Sequence, residues 1–259
     1  YTALAKFDKA EKYYKQALSI LESLQDKWAI NQAYFYLGVN AIWKGDYSKT
    51  IEYMNISVDG FRKIGDLREL GICLNNLQRV YYYLSDYKNA LIINEEYFLV
   101  AKKTNDNYAI SSALYNYLEI YLATGDYEKA KYYGFESYEV SYENEIWFVY
   151  CLSNIGLGVL HLEEGHIDKA LEYLETAKNV DNENALWGKF PLFLQNYIVF
   201  LYSYLAKTYI KQITQLEYDN KKKKQLLQKI KKTIKIAIAK CKKWTNSYGI
   251  ALRTKANYY

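Results

Sequence analysis

The chain has 259 residues, of which 51% are hydrophobic and 17% aromatic, and its formal net charge is +5. This composition excludes an intrinsically disordered chain, because such chains lack the apolar residues that a core needs. One proline and 12 glycines leave few helix breakers, which favours long helices joined by short turns.

The sequence carries no sign of a membrane segment or of export. No apolar run approaches the roughly 18 residues of a membrane-spanning helix, and no signal peptide opens the chain. The cysteines Cys73, Cys151 and Cys241 lie far apart and form no CxxC pair, which favours reduced, packed thiols over a disulfide framework. We therefore expect a cytoplasmic protein without a membrane partner. Because Tyr1 is not an initiator methionine, we also expect a fragment of a larger protein.

One short pattern recurs at a fixed interval along the chain. In this pattern, glycine or serine precedes a polar residue, usually aspartate, and a helix begins directly afterwards. The first occurrence lacks the glycine or serine and consists of Asp-Lys-Ala. Glycine tolerates the left-handed conformation that ends a helix, and aspartate accepts backbone N–H groups at the next helix start. A fixed period of this kind predicts stacked helical hairpins. The pattern occurs at residues 6–10, 44–50, 84–90, 125–130 and 164–170.

The predicted helices follow this period in chain order. They span residues 7–24, 28–44, 47–64, 66–84, 87–104, 108–124, 127–142, 145–164 and 167–180. Beyond them, the polar residues 181–184 predict a loop, Pro191 the start of a helix, residues 212–224 a connector and residues 225–244 a further helix. Residues 246–259 predict the start of another repeat.

These residues resemble the tetratricopeptide repeat (TPR) family. Leu37-Gly38 and Leu157-Gly158 match the leucine and small residue of the family's first helix, and Ala170 with Ala177 match its two small residues in the second. The resemblance implies an all-α, right-handed superhelical solenoid of antiparallel helix pairs. It implies one array over residues 1–259. The recurring turns give regular 40-residue repeats in 1–180 and an irregular, longer repeat followed by the start of another in 181–259. With this long period, the array resembles the sensor arrays of bacterial signalling proteins.

The resemblance also implies that a partner binds in a concave groove lined by the first helices. Asparagine can pair with both groups of an extended backbone, arginine can hold a carboxylate through two bonds, and tyrosine adds stiff apolar area. The alternative is that the tyrosines only pack between repeats. The family's inward positions map onto Gln32, Phe35 and Val39, and onto a central set of Asn75, Arg79, Tyr82, Tyr83, Tyr115, Asn116 and Glu119.

The sequence contains no motif typical of a catalytic centre. No GxSxG, P-loop or GxGxxG occurs. The two histidines, His161 and His166, are five residues apart with Gly165 between them, whereas ligands on one helix face stand four apart. We therefore expect packing roles for them and no metal, cofactor or catalytic residue, with a metal site as the alternative. The predicted function is non-catalytic binding of a protein or peptide, as a scaffold or sensor segment of a larger signalling or regulatory protein.

The C-terminal part supplies a second hypothesis. From Lys207 onwards there are 15 basic and two acidic residues, a charge of +13, so the other 19 basic and 27 acidic residues give −8. Lysines crowd residues 221–243, which would suit nucleic acid or an acidic partner. The alternative is a solvated helix face, because an apolar stripe lies opposite most of these lysines. That stripe consists of Leu226, Ile230, Ile234, Ala237 and Ile238.

Overall fold

The computed structural model describes residues 6–184, 186, 195–215, 220–241 and 256. These residues contain eleven α-helices and no β-strand, which confirms the predicted all-α class. The helices are α1 (Phe7–Leu24), α2 (Lys27–Lys44), α3 (Tyr47–Ile64), α4 (Leu67–Tyr83), α5 (Tyr87–Lys103), α6 (Asn107–Thr124), α7 (Tyr127–Glu143), α8 (Trp147–Glu163), α9 (Ile167–Asn184), α10 (Gln195–Gln215) and α11 (Asn220–Cys241).

The chain forms two compact units, divided between Asp126 and Tyr127. In the first unit each helix from α1 to α5 packs on the one that follows it, and α4 also touches α2 and α6, the first helices of the neighbouring repeats. In the second unit α7 packs on α8, α8 on α9, and α10 on α8, α9 and α11. Within each unit this is the arrangement of a helical solenoid, in which an element contacts mainly its neighbours along the chain.

The turns between successive helices are built alike and follow one another at a regular spacing. The residue before each polar cap has a positive φ, whether it is a glycine such as Gly45 (80°) or another residue such as Ser85 (58°). An aspartate then accepts the backbone N–H three residues further on, at 3.0–3.2 Å. This capping was expected within the hairpins, and it also joins one pair to the next. The capping residues are Asp26, Asp46, Asp66, Asp86 and Asp106.

Small residues let the helices of a pair approach closely, as predicted. Gly158 on α8 packs against Leu174 on α9, and a Cβ placed on this glycine would lie 2.6 Å from Leu174 Cγ. Ser57 on α3 is fully buried, and its hydroxyl donates to the carbonyl of Asn31 on α2 at 2.9 Å. A larger residue at either position would push the paired helices apart.

Two predictions about the region after Val180 are wrong. Residues 181–184 were expected to form a loop, but α9 continues to Asn184. Asp181 is buried in this helix, where its carboxylate accepts a hydrogen bond from the Tyr202 hydroxyl of α10 at 3.4 Å. The polar residue therefore faces a partner inside the fold.

The predicted connector over residues 212–224 is too long at both ends. Helix α10 runs to Gln215 and α11 already begins at Asn220. Lysine is a good helix former whose charge stays in water, so the run at 221–224 does not prevent a helix whose buried side begins at Leu226. Pro191 and the repeat expected over 246–259, apart from Ala256, lie outside the described residues.

None of the helices in the described part of the chain combines the length and the apolar character that crossing a bilayer requires.

A matched pair of glycine variants tests the close helix contact. We expect Gly158→Ala to lower the free energy of unfolding by about 1–3 kcal/mol, because the new methyl group would overlap Leu174. Gly71→Ala is the control, since its Cβ would meet nothing nearer than 3.6 Å, and we expect it to stabilise by about 0.5–1 kcal/mol. Urea denaturation followed by circular dichroism measures both, and equal stabilities of the two variants would contradict the packing.

The buried thiol of Cys73 gives a second test. Burial raises the pKa of Cys73 to about 12, although the Ser57 hydroxyl lies 3.2 Å from its sulfur. Since only the thiolate reacts with alkylating reagents, we expect no modification of Cys73 in the native protein at pH 8 and full modification in urea. Peptide mass mapping after iodoacetamide treatment measures both, and rapid native labelling would show that this core opens.

Candidate functional site

The predicted polar residues of α4 and α6 meet in one hydrogen-bond network. Asn75 and Arg79 lie one turn apart on α4, and Asn116 lies on α6, the first helix of the next repeat. Asn116 Nδ2 donates to Asn75 Oδ1 at 3.0 Å, while Asn116 Oδ1 accepts from Arg79 Nη2 at 3.1 Å. One amide thus joins two residues of the neighbouring first helix. We call the group of seven central residues predicted above the α4–α6 face, of which Tyr115 and Asn116 are buried.

Glu119, one turn beyond Tyr115 on α6, extends the network to a charge pair. Arg79 Nη1 lies 3.5 Å from Glu119 Oε2, and the two side chains are 15% and 23% exposed. Burial raises the pKa of Glu119, while Arg79 and a hydrogen bond with Tyr115 act in the opposite direction. The arginine that was expected to hold a ligand carboxylate therefore already faces a carboxylate of its own chain.

Asn94 on α5 belongs to this network and was missed by the sequence analysis. Its Oδ1 accepts the second Nδ2 hydrogen of Asn116 at 3.0 Å, and its own Nδ2 donates to the carbonyl of Ala113 at 3.0 Å. The sequence does contain a signal for this residue, because the position equivalent to Asn94 is Met54 in the preceding repeat and Gly134 in the following one. An asparagine in a column otherwise apolar or small indicates a buried polar contact.

The three tyrosines of the face have different environments. Tyr115 is buried, and burial raises its pKa well above 10, so it packs inside the fold. Tyr82 is half-buried and Tyr83 is 43% exposed. Their rings lie 6.1 Å apart, and Tyr83 is also 6.3 Å from Tyr47. Among the three, the packing alternative thus describes Tyr115, whereas Tyr83 offers ring surface to solvent.

The other inward positions are occupied by internal contacts. Gln32 donates through Nε2 to Glu69 Oε2 at 2.8 Å, joining α2 to α4. Phe35 and Val39 pack against the apolar core of the first unit. These residues therefore hold the first helices together next to the α4–α6 face.

Helix α11 presents its lysines to solvent and its apolar stripe to the second unit. Leu226, Ile230, Ile234 and Ala237 are buried, and Ile238 is half-buried, as predicted. Seven lysines are exposed along the helix: Lys221, Lys222, Lys224, Lys229, Lys231, Lys232 and Lys235. The side chains of Lys240, Lys242 and Lys243 lie outside the described part.

One group of side chains in the described residues has the composition and spacing of a metal site. It consists of His161, Glu164 and His166, with one candidate ligand atom of each lying within 4.8 Å of the others. Both histidines contact the same carboxylate oxygen of Glu164. The structure therefore brings together the two histidines whose sequence spacing argued against a shared site.

The polar network predicts a measurable cost for removing its central amide. In Asn116→Ala, Asn75, Asn94 and Arg79 each lose a hydrogen-bond partner, so we expect the unfolding free energy to fall by about 1–3 kcal/mol. The control is Asn76→Ala, because among the described residues Asn76 bonds only to the carbonyl of Ile72 in its own helix, and we expect a change within about 0.5 kcal/mol. Thermal and urea denaturation measure both, and similar losses in the two variants would contradict the network.

Comparison with known proteins agrees with this fold. Neither a protein-family model nor a curated protein matches the chain. Among solved structures, the apo form of RapI aligns with a TM-score of 0.69 and 14% identity over 97% of this chain and 92% of its own. A Rap protein complexed with competence and sporulation factor gives 0.64 and 17%, over 98% of this chain and 70% of its own.

A third solved structure carries the repeat in its description. A signal transduction ATPase with a tetratricopeptide repeat sensor, from Pyrococcus horikoshii, aligns with a TM-score of 0.64 and 20% identity. The alignment covers 95% of this chain and 35% of that longer protein. The predicted TPR-like fold is thereby confirmed, and this chain is an all-α helical repeat of the TPR type.

Proposed function

We propose that the chain is a non-catalytic binding scaffold or sensor segment of a larger cytoplasmic signalling or regulatory protein. Its partner is a protein segment or peptide held on the α4–α6 face. The observation that carries the proposal is the network of Asn75, Arg79, Asn116 and Glu119, which joins the first helices of two successive repeats. Polar side chains fixed by one another lose little freedom when a ligand binds, which favours affinity.

The chemistry of the face favours an extended segment with a carboxylate. Asn75 Oδ1 accepts a hydrogen bond from Asn116, and the Asn75 Nδ2 group can donate one to a ligand carbonyl. A ligand carboxylate would compete with Glu119 for Arg79, whose planar guanidinium can take two oxygens at once. Tyr83 adds an exposed ring beside these groups for an apolar ligand side chain.

The structural relatives support a binding role. One Rap structure is a complex with competence and sporulation factor, and the Pyrococcus protein is described as having a repeat sensor. A further neighbour, from Bacillus subtilis, is described as an aspartyl phosphate phosphatase, so a name alone does not fix a role for this fold. The proposal for this chain therefore depends on its own α4–α6 face.

Substitutions that keep the fold test the face. A fluorescent peptide selected from a random library displayed with free C-termini serves as the probe, and fluorescence anisotropy measures its affinity. We expect Arg79→Lys and Asn75→Ala to weaken binding at least about tenfold, because lysine lacks the two-pronged geometry and alanine lacks the amide. Glu119→Gln should strengthen it, since the competing charge is gone.

The Asn76→Ala variant is the matched control for this measurement, with the same side chain removed one residue from Asn75. Its affinity should equal that of the unmodified protein. If no peptide is selected, or if Arg79→Lys, Asn75→Ala and Asn76→Ala all bind alike, the α4–α6 face is not the binding surface.

The exposed lysines of α11 favour a second candidate function, binding of nucleic acid or an acidic partner. Such binding depends on the release of counterions and weakens steeply with salt. We expect an affinity for a single-stranded oligonucleotide that falls with rising NaCl and falls again in a Lys231→Glu, Lys232→Glu double variant. Absent or salt-independent binding would leave these lysines as a solvated helix face.

A further inference from the structure

In the turn between α8 and α9, a backbone hydrogen bond places two histidines next to each other. Gly165 adopts a left-handed φ of 84°, and the N–H of His166 donates to the carbonyl of His161 at 2.8 Å. The same bond closes the other turns, where Asp86 pairs with Tyr81 and Asp126 with Tyr121. Among the described turns, only this one carries an imidazole at both positions. The two histidines, five residues apart in sequence, therefore lie next to each other in space.

Glu164 completes the group with an oxygen that both imidazoles face. His161 Nδ1 lies 3.0 Å and His166 Nδ1 lies 3.3 Å from the same Oε2 atom. Ligands about 2.0–2.1 Å from a tetrahedral zinc ion stand about 3.3 Å from one another. The two distances to Glu164 therefore suit a common ion in place of the shared hydrogen bonds, and the candidate ligand atoms of all three side chains lie within 4.8 Å of one another.

The environments of the two imidazoles suit different parts of a metal site. His161 is buried and stacks on Tyr173, with ring centroids 5.5 Å apart and planes within 14°, which fixes its orientation. The side chain of His166 is 59% exposed, so an ion can enter from that side and a fourth position stays open to solvent. Two imidazoles and one carboxylate with an open fourth position form a donor set typical of Zn²⁺ in proteins.

We propose that His161, Glu164 and His166 bind one divalent transition-metal ion of the Zn²⁺ class, with a water molecule as the fourth ligand. The ion links the end of α8 to the start of α9. Lys169 and Lys131 lie close enough to act electrostatically on His161. These two lysines repel a dication, so the site depends on the charge of Glu164.

Zinc titration of the metal-free full chain tests the proposal. Competition with a chromophoric chelator gives stoichiometry and affinity, and long-range ¹H–¹⁵N NMR spectra report the ring nitrogens of the two histidines in the sequence. We expect one Zn²⁺ per chain, with the signals of both imidazoles changing together until one equivalent has been added. Addition of Mg²⁺ should leave the signals of both imidazoles unchanged, because magnesium prefers oxygen ligands.

A matched pair of carboxamide variants separates coordination from general surface charge. Glu164→Gln should weaken Zn²⁺ binding at least about tenfold, which is the scale of losing a supporting group at such sites. Glu163→Gln removes an adjacent, more exposed carboxylate that pairs with Lys207, and it should bind Zn²⁺ like the unmodified protein.

Two histidine variants complete the test. His161→Tyr installs the residue found at the same position in two other turns, and His166→Ala removes an exposed side chain that the core does not need. Both should lose stoichiometric binding, and His166→Ala keeps the test valid if His161→Tyr fails to fold. Equal zinc affinity in Glu164→Gln and Glu163→Gln, or imidazole signals that ignore one equivalent of Zn²⁺, would overturn the proposal.

Discussion

The backbone hydrogen bond that closes each turn determines most of this structure. It runs from the N–H of the residue after the left-handed position to the carbonyl five residues earlier, and it recurs in eight evenly spaced turns between residues 21 and 166. The bond satisfies a carbonyl at the helix end, and its donor residue directly precedes the next helix, so the chain reverses within two residues. In five of these turns the donor is an aspartate whose side chain also caps the next helix. Because these turns are evenly spaced, helices α1 to α9 are 17 or 18 residues long. Within a unit, this places corresponding residues of successive repeats side by side.

The α4–α6 face depends on that alignment. Asn116 reaches Asn75 and Arg79, which lie 41 and 37 residues earlier in the sequence, because first helices in neighbouring repeats present the same turns to each other. Every link in the network uses a group whose burial without a partner would be costly. The repeat spacing therefore sets the positions of these polar groups. If the face binds a ligand as proposed, that ligand would exchange one set of polar partners for another.

Much of the fold could be predicted from the sequence because the turn chemistry is local. The period, the helix ends up to Val180 and the apolar stripe of α11 all depend on residues close in sequence. The loop at 181–184 was wrong because the partner of Asp181 is Tyr202 on another helix. Asn94 and the convergence of His161 with His166 were missed for a related reason. In both cases a turn or a neighbouring helix brings residues of different segments together. The spacing of residues along one helix does not show such contacts.

The regular turns also have a consequence for the order in which the chain folds. Within each unit, helices contact the next helix or the next but one, so contacting residues are seldom far apart in sequence. Chains with such local contacts pay little loop-closure entropy and fold quickly, and any hairpin can act as a nucleus from which neighbours add. During synthesis, each hairpin can therefore find its packing partner as soon as the next has emerged.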